Sequence, residues 1–122
     1  MKIEWNDLPG AGGLRAGQTR KGICGGLISA VRMTAAPDVQ FDGKTHWHEQ
    51  EQIVVVTEGN MRFVIDGREC SAGPGEMVFF PARSRHAAVG TGPEGAVYYE
   101  IFAPARPDLL PGWTGPSPLH FD

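Results

Sequence analysis

The chain has 122 residues, 41% hydrophobic and 20% charged, the balance of one globular domain with enough apolar material for its own core. A net charge of −3 leaves no basic footprint for nucleic acid, and no apolar run is long enough to span a bilayer. Met1–Asp7 lacks the apolar core of a secretory signal, and Cys24 and Cys70 match no paired motif, so a cytoplasmic protein with two reduced thiols is expected.

In chain order, residues 1–26 are Gly-rich (Pro9-Gly10-Ala11-Gly12-Gly13, then Gly25-Gly26) and read as a loose arm. The domain proper is expected over residues 27–106, beginning with a strand at Leu27–Met33. Gln52–Thr57 holds Ile53-Val54-Val55-Val56, apolar on both faces, which suits a sandwiched strand. Glu58-Gly59-Asn60 reads as a turn, followed by Met61–Ile65, the hairpin signal Asp66-Gly67 and a return strand Arg68–Ser71. After the turn Gly73-Pro74-Gly75-Glu76 come the strand Met77–Phe80, then His86–Val89, a turn over Thr91–Gly95 and a last strand Ala96–Phe102. Short strands at this spacing, with almost no helical period, indicate an all-β antiparallel sandwich or barrel. Ile53–Val56, Phe63, Ile65, Val78, Phe80 and Ile101 are the expected buried positions. Residues 107–122, with Pro107, Pro111, Pro116 and Pro118, form an extended tail in which His120 is expected to be solvated.

Four donors stand out: His46-Trp47-His48, Gln52 and His86. Strand side chains alternate faces, so His46 and His48 project to one side and Gln52 keeps their parity. Glu51, the competing oxygen donor, falls on the opposite face. Trp47 also has opposite parity and is expected on the outer layer or at a subunit contact. Imidazole nitrogen combined with an oxygen donor suits one divalent transition metal ion, with Mn, Fe, Co, Ni and Zn all compatible.

These residues resemble the two motifs of a single-domain cupin. His46-x-His48, three residues, Gln52, six residues and Gly59 match the first, and Gly75, five residues, Pro81, four residues and His86 match the second. Gln40 stands where the family's leading glycine is usual, and Arg83 where the second motif has its internal glycine. The resemblance implies a jelly-roll (double-stranded β-helix) barrel with His46, His48, Gln52 and His86 as metal ligands. Glutamine in place of the commoner glutamate leaves the ion's charge uncompensated, which makes it a stronger Lewis acid and less able to stabilise a ferric state.

A second cluster ends the last strand: Tyr98, Glu100 and Phe102 on one face, then Arg106 beyond Pro104. Burying a carboxylate there is expensive without a partner. One reading is a structural Glu100–Arg106 ion pair clamping the tail. The other rests on resemblance: small cupins that open the ring of unsaturated uronates end in a similar acid-x-Phe-x-Pro-x-Arg segment. That resemblance implies Glu100 as proton-transfer acid, Arg106 as carboxylate binder, and Phe102 and Tyr98 lining the substrate site.

The expected function is therefore metal-dependent isomerase or lyase chemistry on a small, oxygen-rich substrate. An Fe(II)-dependent dioxygenase and a non-catalytic binding or sensing cupin are the alternatives. A homodimer is expected, because Trp5 in the Gly-rich arm and exposed strand edges call for cover.

Overall fold

A computed structural model describes residues 1–122. Seven strands form one antiparallel sheet that wraps on itself: β1 (Ala11–Gly12), β2 (Gln18–Cys24), β3 (Ser29–Ala35), β4 (Glu51–Ile65), β5 (Arg68–Ala72), β6 (Met77–Phe80) and β7 (His86–Ala103). The order is β1-β2-β3-β7-β4-β5, with β6 paired to β4. Two 3₁₀ turns, Trp5–Asp7 and Pro107–Leu109, are the only helical segments.

The long strands β4 and β7 form the spine of both halves. The first part of β4 pairs with β6 and with the end of β7 (Gln52↔Phe80, Gln52↔Phe102), and its last part pairs with β5 and with the start of β7 (Phe63↔Cys70, Ile65↔His86). Register shifts at Val56/Glu58, Gly59/Met61 and Arg62/Phe63 separate the two parts. Bulges of this kind bend a strand and raise its twist, which lets one sheet close into a sandwich.

Two sequence expectations are corrected here. Glu58-Gly59-Asn60 and Thr91–Gly95 do not end strands; both lie inside β4 and β7. Gly59 (φ +72°) and Gly95 (φ +75°) instead sit where the two strands pass close together, and a Cβ on Gly59 would overlap the Gly95 carbonyl. Asp66 (φ +47°) and Gly67 (φ +81°) do form the expected hairpin turn between β4 and β5. Arg83, at the position of the family glycine, keeps a left-handed φ of +65°, and its Nε donates to Glu49 at 2.8 Å.

The 1–26 segment is not a loose arm throughout. β2 pairs with β3 over seven residues, Gln18↔Ala35 through Cys24↔Ser29, and Trp5 packs on Tyr99 with ring centroids 5.6 Å apart. The first predicted strand correspondingly begins at Ser29, leaving Leu27 and Ile28 exposed in the β2–β3 turn.

The core alternates as a half-buried sheet must. Val31, Met33 and Ala35 on β3, Val54 and Val56 on β4, and Ala96, Tyr98 and Phe102 on β7 point inward, closed off by Phe63, Phe80 and Leu109. Of the expected core, Val54, Val56, Phe63 and Phe80 are buried, while Ile65 and Val78 pack against them half-buried. Ile53, Val55 and Ile101 lie on the outer face and are only half-buried, so β4 is not sandwiched on both sides. The tail is extended as expected but does not hang free. His120 and Trp47 exchange both backbone hydrogen bonds (2.8 and 2.9 Å), their rings stack at 4.1 Å, and Trp47 Nε1 donates to Asp122 at 2.7 Å. His120 is exposed, as expected of the tail, although its backbone and ring are held by Trp47, and Trp47 packs in the outer layer against the tail of its own chain.

Candidate metal centre and its cavity

His46 lies on a short bridge to His86: His46 N donates to His86 O at 3.0 Å and His86 N to His46 O at 2.9 Å. This bridge joins the two sequence motifs and brings the three imidazoles together, with His86 T-shaped to both His46 and His48. Ring centroids are 4.7 Å apart for His46–His86, 4.9 Å for His48–His86 and 6.1 Å for His46–His48. One ligand atom from each of His46, His48 and His86 falls within 4.8 Å of the others. These three histidines could hold a metal ion.

The surrounding hydrogen bonds orient the rings. His86 Nδ1 lies 2.8 Å from Ser84 O and His48 Nδ1 lies 3.0 Å from Gln50 O. A ring nitrogen bonded to a backbone carbonyl carries the proton, so the opposite Nε2 keeps its lone pair, without a protein partner in His86 and beside Gln52 in His48, the usual support for a metal-binding histidine. His86 Nε2 and His46 Nδ1 are buried with no hydrogen-bond partner. Buried polar atoms rarely stay unpaired, and an ion held by these atoms would satisfy both.

Gln52 completes the cluster. It is buried at 5% exposure on the inward face of β4, whereas Glu51 is exposed. Gln52 Oε1 lies 3.1 Å from His48 Nε2, and Gln52 Nε2 donates to Glu100 Oε2 at 2.7 Å. Neighbouring ligands around an ion with bonds of about 2.1 Å are separated by roughly 3.0 Å, so the Gln52 oxygen stands beside His48 at the spacing of a fourth donor. The bond to Glu100 also fixes which end of the amide is which: the nitrogen faces the carboxylate and the oxygen faces the histidines.

The register explains this meeting. On β7 the inward residues are Tyr98, Glu100 and Phe102; on β4, Gln52 is directly opposite Phe102 and Val54 opposite Glu100. Glu100 therefore sits one inward step from Gln52, within side-chain reach. Burial raises its carboxyl pKa, against the lowering effects of Arg106, Arg20 and the Gln52 hydrogen bond. Burial also raises the Tyr98 phenol far above its ordinary value, reinforced by the Glu100 charge. The imidazoles move the other way. Burial, then the neighbouring imidazoles, holds His46 down to about 3, and burial with His48 next holds His86 down to about 4. Burial and Arg106 lower His48 as well. All three are neutral at pH 7, the form that binds metal.

Arg106 does not pair with Glu100. It is 6% exposed and held by Asp108 through Nη2–Oδ2 at 2.8 Å and Nε–Oδ1 at 3.3 Å, while its backbone N donates to Ser29 Oγ at 2.8 Å. The structural Glu100–Arg106 clamp considered from sequence is replaced by an Arg106–Asp108 pair. Phe102 lies beneath the site rather than along the cavity wall, with its ring 5.7 Å from His48 and the Arg106 guanidinium 4.8 Å above it.

A cavity of about 310 Å³ opens above the centre. His46, Tyr98, Glu100 and Arg106 line it together with three residues that sequence reasoning missed, Arg15, Gln18 and Arg20. These come from β2 and the turn before it. Their signal was the parity of Gln18 and Arg20, which becomes readable only once β2 is seen as a strand. Trp113, Ser117 and Leu119 of the tail form the outer wall.

Comparison with known proteins agrees with this architecture. The family described as Cupin domain matches residues 32–102. An RmlC-like cupin from Shewanella frigidimarina NCIMB 400 superposes with a TM-score of 0.75 at 23% identity, covering 88% of this chain and 94% of that one. KdgF from Halomonas sp. gives a TM-score of 0.70 at 26% identity over 80% and 88% of the two chains. The polyketide cyclase RemF from Streptomyces resistomycificus gives 0.71 at 20% identity over 97% and 89%. No curated protein matches the chain. No helix is long and apolar enough to cross a membrane.

Proposed function

The chain belongs to the cupin family, and from that premise we propose a metal-dependent enzyme that moves a proton on a small, oxygen-rich, carboxylate-bearing substrate, in an isomerase or lyase reaction. The observation that carries this reading is the Gln52–Glu100 hydrogen bond of 2.7 Å, which ties a cavity-lining carboxylate to the histidine cluster. A proton-transfer group is useful only within reach of the atom whose acidity the centre raises, and here the two share one wall.

His46, His48, His86 and the Gln52 oxygen would hold a divalent transition ion, which when bound supplies Lewis acidity toward substrate oxygens. All four donors are neutral, and the nearest carboxyl group is Glu100 behind the amide. Glu100 Oε2 is engaged by Gln52, and Oε1 has no protein hydrogen bond, which suits it to accept and return a substrate proton. Arg106, oriented by Asp108, presents guanidinium N–H groups to a substrate carboxylate. Tyr98 stays protonated and holds its hydroxyl toward Gln18 at 3.4 Å. The acid-x-Phe-x-Pro-x-Arg segment, which resembles that of uronate ring-opening cupins, and the likeness to KdgF support the same reading.

The test is hydrogen–deuterium exchange followed by NMR in D₂O, with metal-loaded protein and a panel of hydroxy- and oxo-acids including unsaturated uronates. Exchange at the carbon next to the carbonyl or carboxylate is expected in the wild type. Glu100→Gln should lower it by about 10²–10⁴-fold while elemental analysis shows unchanged metal content. Undiminished exchange in that variant would overturn the role of Glu100. Stoichiometric oxygen consumption would replace the proposal with a dioxygenase.

A further inference from the structure

The cavity wall carries three guanidiniums, and their partners differ. Arg15 is held by Asp42 at 3.4 Å and lies over the Phe41 ring at 5.0 Å. Arg106 is held by Asp108. Arg20 has no salt bridge and no side-chain hydrogen bond, and its Nε is buried without a partner. An N–H withdrawn from water with no acceptor is costly and rare in folded proteins, unless a ligand supplies the acceptor.

Arg20 is placed for such a ligand by the sheet. It pairs with Met33, which pairs with Tyr98, so all three stand on one inward row. The next inward row runs Gly22, Val31, Glu100. Arg20 therefore reaches into the cavity from the strand two removed from Glu100, across the floor formed by Met33 and Tyr98. Gly22 puts no side chain between them.

The charge balance points the same way. Arg15 is paired with Asp42 and Arg106 with Asp108, so Arg20 is the one guanidinium of the wall without a carboxylate in contact, while the histidines and Gln52 contribute no negative charge to offset a divalent ion. A single carboxylate at the histidine cluster would leave the Arg20 Nε–H without an acceptor. We infer that Arg20 is the anchor for a second carboxylate, so that the ligand of this cavity is a small dicarboxylate rather than a monocarboxylate. This rests on the proposed carboxylate-bearing substrate and adds the second charge and the residue that reads it. At about 310 Å³ the space lies at the lower end of the range for ligand pockets, which favours a short acid over a sugar chain.

The experiment is isothermal titration calorimetry of the metal-loaded protein at low ionic strength with malate, succinate and glutarate, and with lactate and butyrate as monocarboxylate counterparts. Arg20→Met keeps the aliphatic stem and removes only the charge. Since the guanidinium has no protein partner, the variant should fold, and Arg20→Lys provides a second variant that retains a point charge. The wild type should bind at least one dicarboxylate about tenfold or more tighter than its monocarboxylate counterpart. Arg20→Met should erase that margin and leave monocarboxylate affinity within about twofold, with Arg20→Lys intermediate. An equal loss for both acid classes would mean that Arg20 only balances the Glu100 charge, and would overturn the inference. So would dicarboxylate binding unchanged in both variants. Monocarboxylates bound as well as dicarboxylates would sink the second-anchor idea alone and leave the proposed function standing. Arg20-dependent dicarboxylate binding without proton exchange would do the reverse.

Discussion

Asp108→Asn isolates what holds Arg106 in place. The pair is nearly buried, at 6% and 12% side-chain exposure, and the two contacts of 2.8 and 3.3 Å engage one edge of the guanidinium. Removing the charge of Asp108 leaves a buried guanidinium with one weak acceptor. Breaking a buried ion pair from one side costs about 3–5 kcal/mol, and the remaining amide oxygen offsets part of it, so a loss of roughly 2–4 kcal/mol is expected. In a domain of this size that lowers Tm by roughly 8–20 °C. Arg106→Met leaves only a carboxylate nearer the surface and should cost less, and the double variant should recover most of the Asp108→Asn loss. Urea and thermal melts on the metal-free protein measure all three. A change below about 2 °C for Asp108→Asn, or a larger loss for Glu100→Gln, would mean that Glu100 holds Arg106 after all.

Gly59→Ala should destabilise by roughly 2–5 kcal/mol in a denaturant melt, because the left-handed φ and the overlap with the Gly95 backbone act together; a neutral result would show that β4 and β7 can separate there. The metal-free protein should lose stability as pH falls from 6.5 toward 5. His46 and His86, held at about 3 and about 4 when folded, stay neutral while the unfolded chain takes up protons, so their contribution is complete above 6.5 and declines below it. His46→Gln should flatten that slope in urea midpoints, and an unchanged slope would remove His46 from the explanation. A homodimer is expected through the outer face of the sheet, where Ile23, Ala30, Ile101, Ile53 and Phe79 form one row in register and Phe79 is 53% exposed. Light scattering should give about twice 13.2 kDa for the wild type and the monomer mass for Phe79→Glu; a monomeric wild type at micromolar concentration would refute it.

What the sequence revealed and what it hid divide along one physical line. Features carried by local alternation were legible: His46, His48 and Gln52 on one strand face, Val54 and Val56 inward, the Asp66-Gly67 hairpin. Features that depend on a distant partner were not. β2 reads Gln-Thr-Arg-Lys-Gly-Ile-Cys, with no apolar alternation, because the backbone ladder to β3 holds it rather than buried side chains. Gly59 and Gly95 carry the same positive-φ signal as turns, and only the close approach of β4 to β7 makes them crossing points instead. Pro-rich composition foretold an extended tail, but the Trp47–His120 bridge that folds it beside the histidine cluster has no local signature. The same division runs through the candidate site. Its metal-ligand half lies in two compact motifs and could be read directly. Its cavity-wall half, Arg15, Gln18 and Arg20 beside Arg106 and Asp108, is assembled from opposite ends of the chain by the β2–β3–β7 ladder. In the proposed enzyme, whose metal donors are all neutral, that half would decide which anion the centre meets, so the proposal places specificity in residues that only the fold brings together.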